Sequence, residues 1–176
     1  MNKAAFLDRD GVINIDKDYV CKIEDFEFKN GIFELLLYLQ SEGYKLIVVT
    51  NQSGISRGYY SEEDFLILSA WMRQRLEEKG VKIDKIYHCP HNPESRCGCR
   101  KPDSGMFEQA IEEFCIDTKK SLVIGDKKSD LDAAKKVGVG LSILVLGKNG
   151  QEGDKIEADF KAESLNSITS FLKGRE

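Results

Sequence analysis

Short apolar runs alternate with amphipathic stretches along the whole chain. Ala4–Leu7 predicts a first strand. Gly31–Glu42 predicts a helix, with Phe33, Leu36, Leu37 and Leu39 as its apolar positions. Tyr44–Thr50 (Tyr-Lys-Leu-Ile-Val-Val-Thr) is a near-continuous apolar run and predicts a buried strand. Ser61 opens a long helix to Lys79, with Ser61-x-x-Asp64 as a variant of the capping box. Further strands are predicted at Lys85–Tyr87, Ser121–Ile124 and Leu141–Leu146, and further helices at Ser104–Phe114, Ser129–Val137 and Ser164–Leu172. The polar stretch Gly147–Lys155 is assigned only to a loop. This alternation implies an α/β fold, a mostly parallel sheet covered on both faces by helices. Ligands of such sheets bind at the carboxyl ends of the strands. Residues just after strands are therefore the ones to inspect.

The 176 residues contain no internal repeat, low-complexity tract or linker-like segment, so one domain spanning 1–176 is expected. A chain of this length buries about 70% of its unfolded surface and needs no disulfides. A net charge of −4 argues against a dominant nucleic-acid or anionic-membrane surface but leaves room for a local basic pocket. The longest apolar runs, Leu46–Val49 and Ile143–Leu146, are too short to span a membrane, and the N-terminal residues carry no signal-peptide core. A cytoplasmic monomer is the resulting expectation.

Four loops carry candidate chemistry. Asp8-Arg9-Asp10-Gly11 follows the first strand. Residues two apart in an extended segment point the same way, so Asp8 and Asp10 share one side and Arg9 points away. Gly11 permits a sharp exit from the strand. Two neighbouring carboxylates repel unless a cation lies between them, and Mg2+ suits oxygen ligands. Thr50-Asn51-Gln52-Ser53-Gly54 follows the buried strand and offers a hydroxyl, amides and backbone N–H groups to phosphate oxygens. Arg100-Lys101-Pro102 precedes a helix, where Lys101 can neutralise a phosphate and nearby carboxylates. Gly125-Asp126-Lys127-Lys128-Ser129-Asp130 follows another strand, where Asp126 can complete a metal site and Asp130 can orient the loop. Each loop alone also fits an ordinary polar turn. Four of them in this order do not.

With these loops, and with Asp8 through Asn14, Thr50 through Ile55 and Cys89-Pro90-His91 through Cys99-Arg100-Lys101-Pro102, the chain resembles the haloacid-dehalogenase superfamily of aspartate-nucleophile phosphatases. More narrowly, it resembles the heptose-bisphosphate and histidinol-phosphate phosphatase branch. The resemblance covers Phe6 to about Leu146 and implies a Rossmann-like fold. It implies that Asp8 attacks phosphorus and that Asp10 acts as acid and base. Mg2+ would be held by Asp8, the Asp10 carbonyl and Asp126. Lys101 would offset phosphoryl charge, and Thr50 and Asn51 would donate hydrogen bonds to it.

Five cysteines are present, three of them within eleven residues. Cys89, His91, Cys97 and Cys99 supply three thiolates and one imidazole, a set that suits a closed, structural Zn2+ site. The zinc loop, residues 88–101, has no apolar core of its own and leads into Arg100 and Lys101. His88 is read as a strand residue, and Cys21 and Cys115 as unspecialised.

Too few residues separate Asp10 from Thr50 for a large cap domain. By resemblance, Asp16, Lys17, Asp18, Tyr19, Gln52, Ser53, Arg57, Arg100 and Lys127 join Asn51 around the substrate, though Arg57 can equally be a solvated loop charge and Lys128 a surface lysine. The expected substrate is a small phosphorylated sugar, D-glycero-D-manno-heptose 1,7-bisphosphate, dephosphorylated at C7 for surface-polysaccharide precursor synthesis. Histidinol phosphate is the alternative. The short spacer from His91 to Cys97 favours histidinol phosphate. The lack of a fused second domain and the Asp16–Val20 and Phe26–Phe28 segments favour the heptose. Two other classes remain as readings: a zinc-loop nucleic-acid binder, which the net charge opposes, and a non-catalytic binding protein, which the paired aspartates oppose.

Overall fold

Strand β1 (Lys3–Leu7) sends Ala5 and Leu7 into one apolar core and Ala4 and Phe6 into another. Strand β2 (Tyr44–Asn51) repeats the division, with Leu46 and Val48 on one side and Ile47 and Val49 on the other. Period-two alternation with both sets apolar is what a sheet buried on both faces requires. The computed structural model describes residues 1–147 and 153–175. Part of the Gly147–Lys155 loop, 148–152, therefore lies outside the described residues.

The other strands are β3 (Lys85–Cys89), β4 (Leu122–Gly125), β5 (Leu141–Val145) and β6 (Phe160–Ala162), and all pair in parallel in the order β3-β2-β1-β4-β5-β6. One face is covered by α1 (Ile32–Ser41), α2 (Glu62–Glu77) and α5 (Leu165–Lys173), through Leu35, Met72 and Ile168 among others. The other is covered by α3 (Gly105–Phe114) and α4 (Lys128–Lys136), through Phe107 and Ala134. Burial of these apolar side chains, at about 25 cal/mol per Å2, is the main favourable term holding the layers together. Between Asp10 and β2 the chain holds only a short 3-10 turn, Ile23–Asp25, and α1.

The predicted capping box is formed: Asp64 N–H donates to Ser61 Oγ at 3.0 Å, and Ser61 N–H to Asp64 Oδ2 at 2.8 Å. Two elements depart from the sequence reading. β3 runs two residues beyond Tyr87, because His88 and Cys89 pair with Thr50 and Asn51 of β2. That pairing sets the first predicted zinc ligand beside the phosphate-type loop. β6 was not predicted; three residues are too few to show a period, and the strand exists by pairing with β5. No helix among the described residues is long and apolar enough to cross a membrane. Chain direction away from β1 reverses between β2 and β4, so the crevice beyond the carboxyl ends of these strands is the natural ligand site.

Candidate active site and metal-binding loop

Asp8 leaves the end of β1 and is anchored by its N–H to the Ile124 carbonyl of β4, 3.1 Å. Lys101 arrives from the opposite side. Its Nζ donates to Asp8 Oδ1 at 3.1 Å and to the Val49 carbonyl at 2.6 Å, and lies 2.6 Å from Asp130 Oδ1. Asp8, Lys101 and Asp130 are all buried. Carboxylate oxygens of Asp8, Asp126 and Asp130 lie within 4.8 Å of one another.

Gly11 turns with φ +90°, and a Cβ there would collide with the Asp126 carboxylate. Glycine is thus required both for the turn and for the approach of the first loop to Asp126. Gly125 plays the second role alone, since a Cβ on it would strike Asp130.

Electrostatics in this crevice are unbalanced. Burial, followed by the charge of Asp130, pushes the Asp8 carboxyl well above the usual range, against the pull of Lys101. Burial and Asp130 likewise raise Asp126 to about 6. Burial alone would depress Lys101, but Asp130 and Asp8 outweigh it and keep the ammonium charged. Three carboxylates face one buried ammonium, and Asp126 Oδ1 is buried without a hydrogen-bond partner. Both oxygens of Asp130 are already engaged, one by Lys101 and one by the Lys127 N–H at 3.1 Å. Asp8 and Asp126 therefore carry the unused oxygen lone pairs. This donor set, all oxygen and short of positive charge, fits a divalent cation such as Mg2+.

Asp10 stands outside the acidic cluster. Its Oδ1 accepts from Arg9 Nη2 and Asn14 Nδ2, both at 3.0 Å, and its Oδ2 from Gln52 Nε2 at 3.1 Å. Of the expected Mg2+ ligands it could contribute only its backbone carbonyl. Arg9 does not turn away from both aspartates as expected: it is fully buried, its guanidinium pairs with Asp10, and it also donates to the Val20 carbonyl at 2.7 Å, tying the 15–22 loop to the site. The Gln52 amide is fixed on its other side by the Tyr60 hydroxyl, which donates to Oε1. Burial raises Tyr60 to about 12, so it remains a donor.

A cavity of about 490 Å3 opens over this constellation. Of the expected substrate neighbours, Asp16, Asp18, Tyr19, Asn51, Gln52, Ser53, Arg100 and Lys127 line it. Four expectations need correcting. Lys17 turns outward to Glu27, 3.1 Å away. Arg57 is exposed and away from the cavity wall, which is its solvated-charge alternative. Thr50 lies beneath the wall, its Oγ1 accepting from Gln52 Nε2 at 2.9 Å. The Asn51 carboxamide, expected to face phosphate, clamps the Lys101 backbone instead, donating to its carbonyl at 3.1 Å and accepting its N–H at 3.0 Å. Lys128 is on the surface, paired with Asp132 at 2.5 Å.

Tyr60 and the full use of Asp130 and Arg9 were missed. Arg9 alternates with the two aspartates, and period-two reasoning turns it away from both; the extended geometry ends at the Asp10 turn, so the long guanidinium folds back onto Asp10 and onto the buried loop at Val20. Asp130 is three residues from Lys127, the spacing of a helix-capping pair, and that signal was available.

The second cluster is compact. Cys89, His91, Cys97 and Cys99 bring their ligand atoms within 4.8 Å of one another, with His91 Nδ1 3.4 Å from Cys89 Sγ and 3.3 Å from Cys99 Sγ. Three sulfurs and one nitrogen around a common point fit tetrahedral Zn2+. Beyond the cluster, Gly105 N–H donates to the Gly98 carbonyl at 3.1 Å, and Gln52 N–H to the Cys89 carbonyl at 2.8 Å. The loop is thereby joined to α3 and to the phosphate-type loop.

Comparison with known proteins agrees with this geometry. Residues 98–168 match a family model described as HAD-hydrolase-like. The chain is 49% identical over 176 residues to D-glycero-alpha-D-manno-heptose-1,7-bisphosphate 7-phosphatase of Campylobacter jejuni, covering 99% of this chain and 98% of that one. It is 45% identical over 181 residues to D-glycero-beta-D-manno-heptose-1,7-bisphosphate 7-phosphatase of Pasteurella multocida, again covering 99% and 98%. Among solved structures, D,D-heptose 1,7-bisphosphate phosphatase from B. bronchiseptica, complexed with magnesium and phosphate, superposes with a TM-score of 0.89 at 29% identity, covering 99% of each chain.

Proposed function

The chain belongs to the haloacid-dehalogenase-like hydrolases, and we infer that within that family it is a Mg2+-dependent phosphatase removing the C7 phosphate of D-glycero-D-manno-heptose 1,7-bisphosphate. The observation that carries the chemistry is the buried Asp8 carboxylate facing Lys101 Nζ at 3.1 Å, with the unpartnered Asp126 oxygen beside it.

Asp8 Oδ attacks phosphorus while the leaving sugar oxygen takes a proton from the Asp10 carboxyl. The product is an aspartyl-phosphate on Asp8. Asp10, now a carboxylate, removes a proton from the water that attacks this phosphorus, and Asp8 is released with phosphate. Arg9, Asn14 and Gln52 hold Asp10 in place through both steps. Lys101 offsets charge on the phosphoryl oxygens, and Asn51 fixes the Lys101 backbone. Asp8, Asp126 and the Asp10 carbonyl would hold Mg2+, which would supply charge neutralisation for the transferring group.

The zinc loop acts on this reaction by placement. Arg100 and Lys101 follow Cys99 directly, so Zn2+ held by Cys89, His91, Cys97 and Cys99 would fix where both cations stand. Asp16, Asp18, Tyr19, Gln52, Ser53, Arg100 and Lys127 border the sugar, and Arg100 is suited to its second phosphate. We place the reaction in the cytoplasm, carried out by a monomer that is one domain over 1–176 and needs neither nucleic acid nor membrane. The product would feed surface-polysaccharide precursor synthesis.

Related enzymes act on either anomer, so the deciding assay offers α and β heptose 1,7-bisphosphate and histidinol phosphate side by side with Mg2+. The expected result is a kcat/KM for one heptose anomer at least about tenfold above that for histidinol phosphate. A preference for histidinol phosphate would overturn the substrate while leaving the Asp8 chemistry in place.

A further inference from the structure

Tyr19 lines the cavity, and Tyr59, outside that lining, packs against it; nothing in the mechanism uses Tyr59. Tyr19 is 45% exposed and Tyr59 60% exposed. Their rings meet edge to face, centroids 4.8 Å apart and planes at 77°. Among the described residues neither phenol hydroxyl has a hydrogen-bond partner. Large aromatic side chains left open on a soluble surface are informative when they adjoin a binding cavity.

Their placement is specified by the backbone. Tyr19 and the preceding Asp18 both occupy the left-handed region, with φ 55° and 58°, a conformation costly for side chains of this size. Asp18 N–H is pinned by Asp16 Oδ1 at 3.0 Å. Tyr59 is set by its N–H bond to the Gly54 carbonyl, 2.9 Å, which closes the turn after the phosphate-type loop. Gly54 leaves space chiefly for the Tyr60 ring, whose Cε1 a Cβ would strike, and also lets the Tyr19 ring approach, its Cδ1 lying 3.0 Å from that Cβ position. Two loops, one after β1 and one after β2, thus each bring one ring to the same spot.

The cavity is larger than one phosphate requires, and its deep end is charged. A bisphosphorylated sugar puts a phosphate at that end and leaves a ring between the two anionic groups. One face of a pyranose carries C–H groups, and its hydroxyls point outward from the edge. A tyrosine pair offers the matching surface: an apolar face with a polar tip.

We propose that Tyr59, packed edge to face on Tyr19, braces that ring as the seat for the sugar, and that the braced pair selects ring-bearing phosphoesters over small acyclic ones. The proposal rests on the sugar-bisphosphate reading above.

The test compares kcat/KM for heptose 1,7-bisphosphate with that for acetyl phosphate, in the wild-type Mg2+ enzyme and in Tyr59→Ala and Tyr59→Phe. The expected result is a fall of about fivefold in the heptose-to-acetyl-phosphate ratio for Tyr59→Ala, with the loss in KM rather than kcat. Tyr59→Phe keeps the apolar face and should retain most of the ratio. A Tyr59→Ala ratio equal to wild type, in an enzyme that turns over the heptose substrate, overturns the seat alone. A wild-type enzyme inert toward both heptose anomers overturns the seat together with the substrate reading.

Discussion

Lys101 lies closer to Asp130 than to Asp8: Nζ is 2.6 Å from Asp130 Oδ1 and 3.1 Å from Asp8 Oδ1. Asp130 therefore holds the ammonium between two carboxylates rather than letting it collapse onto one. Its other oxygen caps α4 through the Lys127 N–H. The two tasks can be separated. Asp130→Asn keeps an oxygen for the cap but loses the charge, so kcat should fall about tenfold or more with little change in melting temperature. Asp130→Ala should lose the cap as well, costing about 1 kcal/mol of stability beyond the Asn variant. Steady-state kinetics and thermal melts on both variants check this. Equal melting temperatures for the two would show that the cap contributes nothing.

Asp8 illustrates activity held at a cost in stability. Its carboxyl is buried among like charges and pushed up, so the ionised form is disfavoured in the folded protein. Asp8→Asn removes that charge and leaves Lys101 paired with Asp130. Phosphatase activity should fall by about 10^4 or more, and the metal-free variant should melt higher than the metal-free wild type, about 2–4 °C for each kcal/mol relieved. Surviving phosphate release would remove Asp8 from the role of nucleophile.

Most of this site was legible because its residues sit at strand ends, where a single sequence shows both the apolar run and the polar residue that follows it. Asp8, Asp10 and Asp126 stand out in that way, and Cys89, His91, Cys97 and Cys99 by their spacing within one loop; the structure brings each set together around a common cluster or cavity. Lys17 and Arg57 were placed wrongly because loop residues carry no period; whether a long side chain faces a cavity or solvent depends on the tertiary path of the loop. Lys17 was decided by Glu27, ten residues away. Asn51 was correctly placed at the site but given the wrong partner, since its contact with Lys101 closes across fifty residues. β6 escaped because a three-residue edge strand is made by its neighbour, not by its own sequence.

The metal-free protein should lose stability as pH rises. Asp126 titrates near 6 in the fold, against an ordinary value of 3.8, so between these values the folded state binds more protons than the unfolded one. The stability tied to this proton is complete below about pH 4 and is lost as pH climbs through about 6. Asp8, raised by the same causes, acts in the same direction. Mg2+ prefers the ionised oxygens and reverses the loss. Added Mg2+ should therefore raise the melting temperature strongly near pH 8 and hardly at all near pH 5. Differential scanning calorimetry across that range gives the answer. A Mg2+ effect independent of pH would mean that the cation does not use these carboxylates.

The zinc loop should matter more to turnover than to the sheet. Cys89 is buried at the end of β3, but Cys97 lies in a loop with no apolar core of its own, and the chain from Cys99 passes straight to Arg100 and Lys101. Cys97→Ser leaves an incomplete ligand set, and zinc content measured by elemental analysis should drop from near stoichiometric to a small fraction. Lys101 would still be held by Asn51 and by its two carboxylates, so catalysis should be reduced about tenfold rather than abolished. Circular dichroism should barely change, because the parallel sheet does not depend on the loop. Chelation of the wild type should give the matching result: Mg2+ alone restores part of the activity, and Mg2+ with Zn2+ restores the remainder. Full recovery with Mg2+ in a protein shown to be free of zinc would separate the loop from the placement of Arg100 and Lys101.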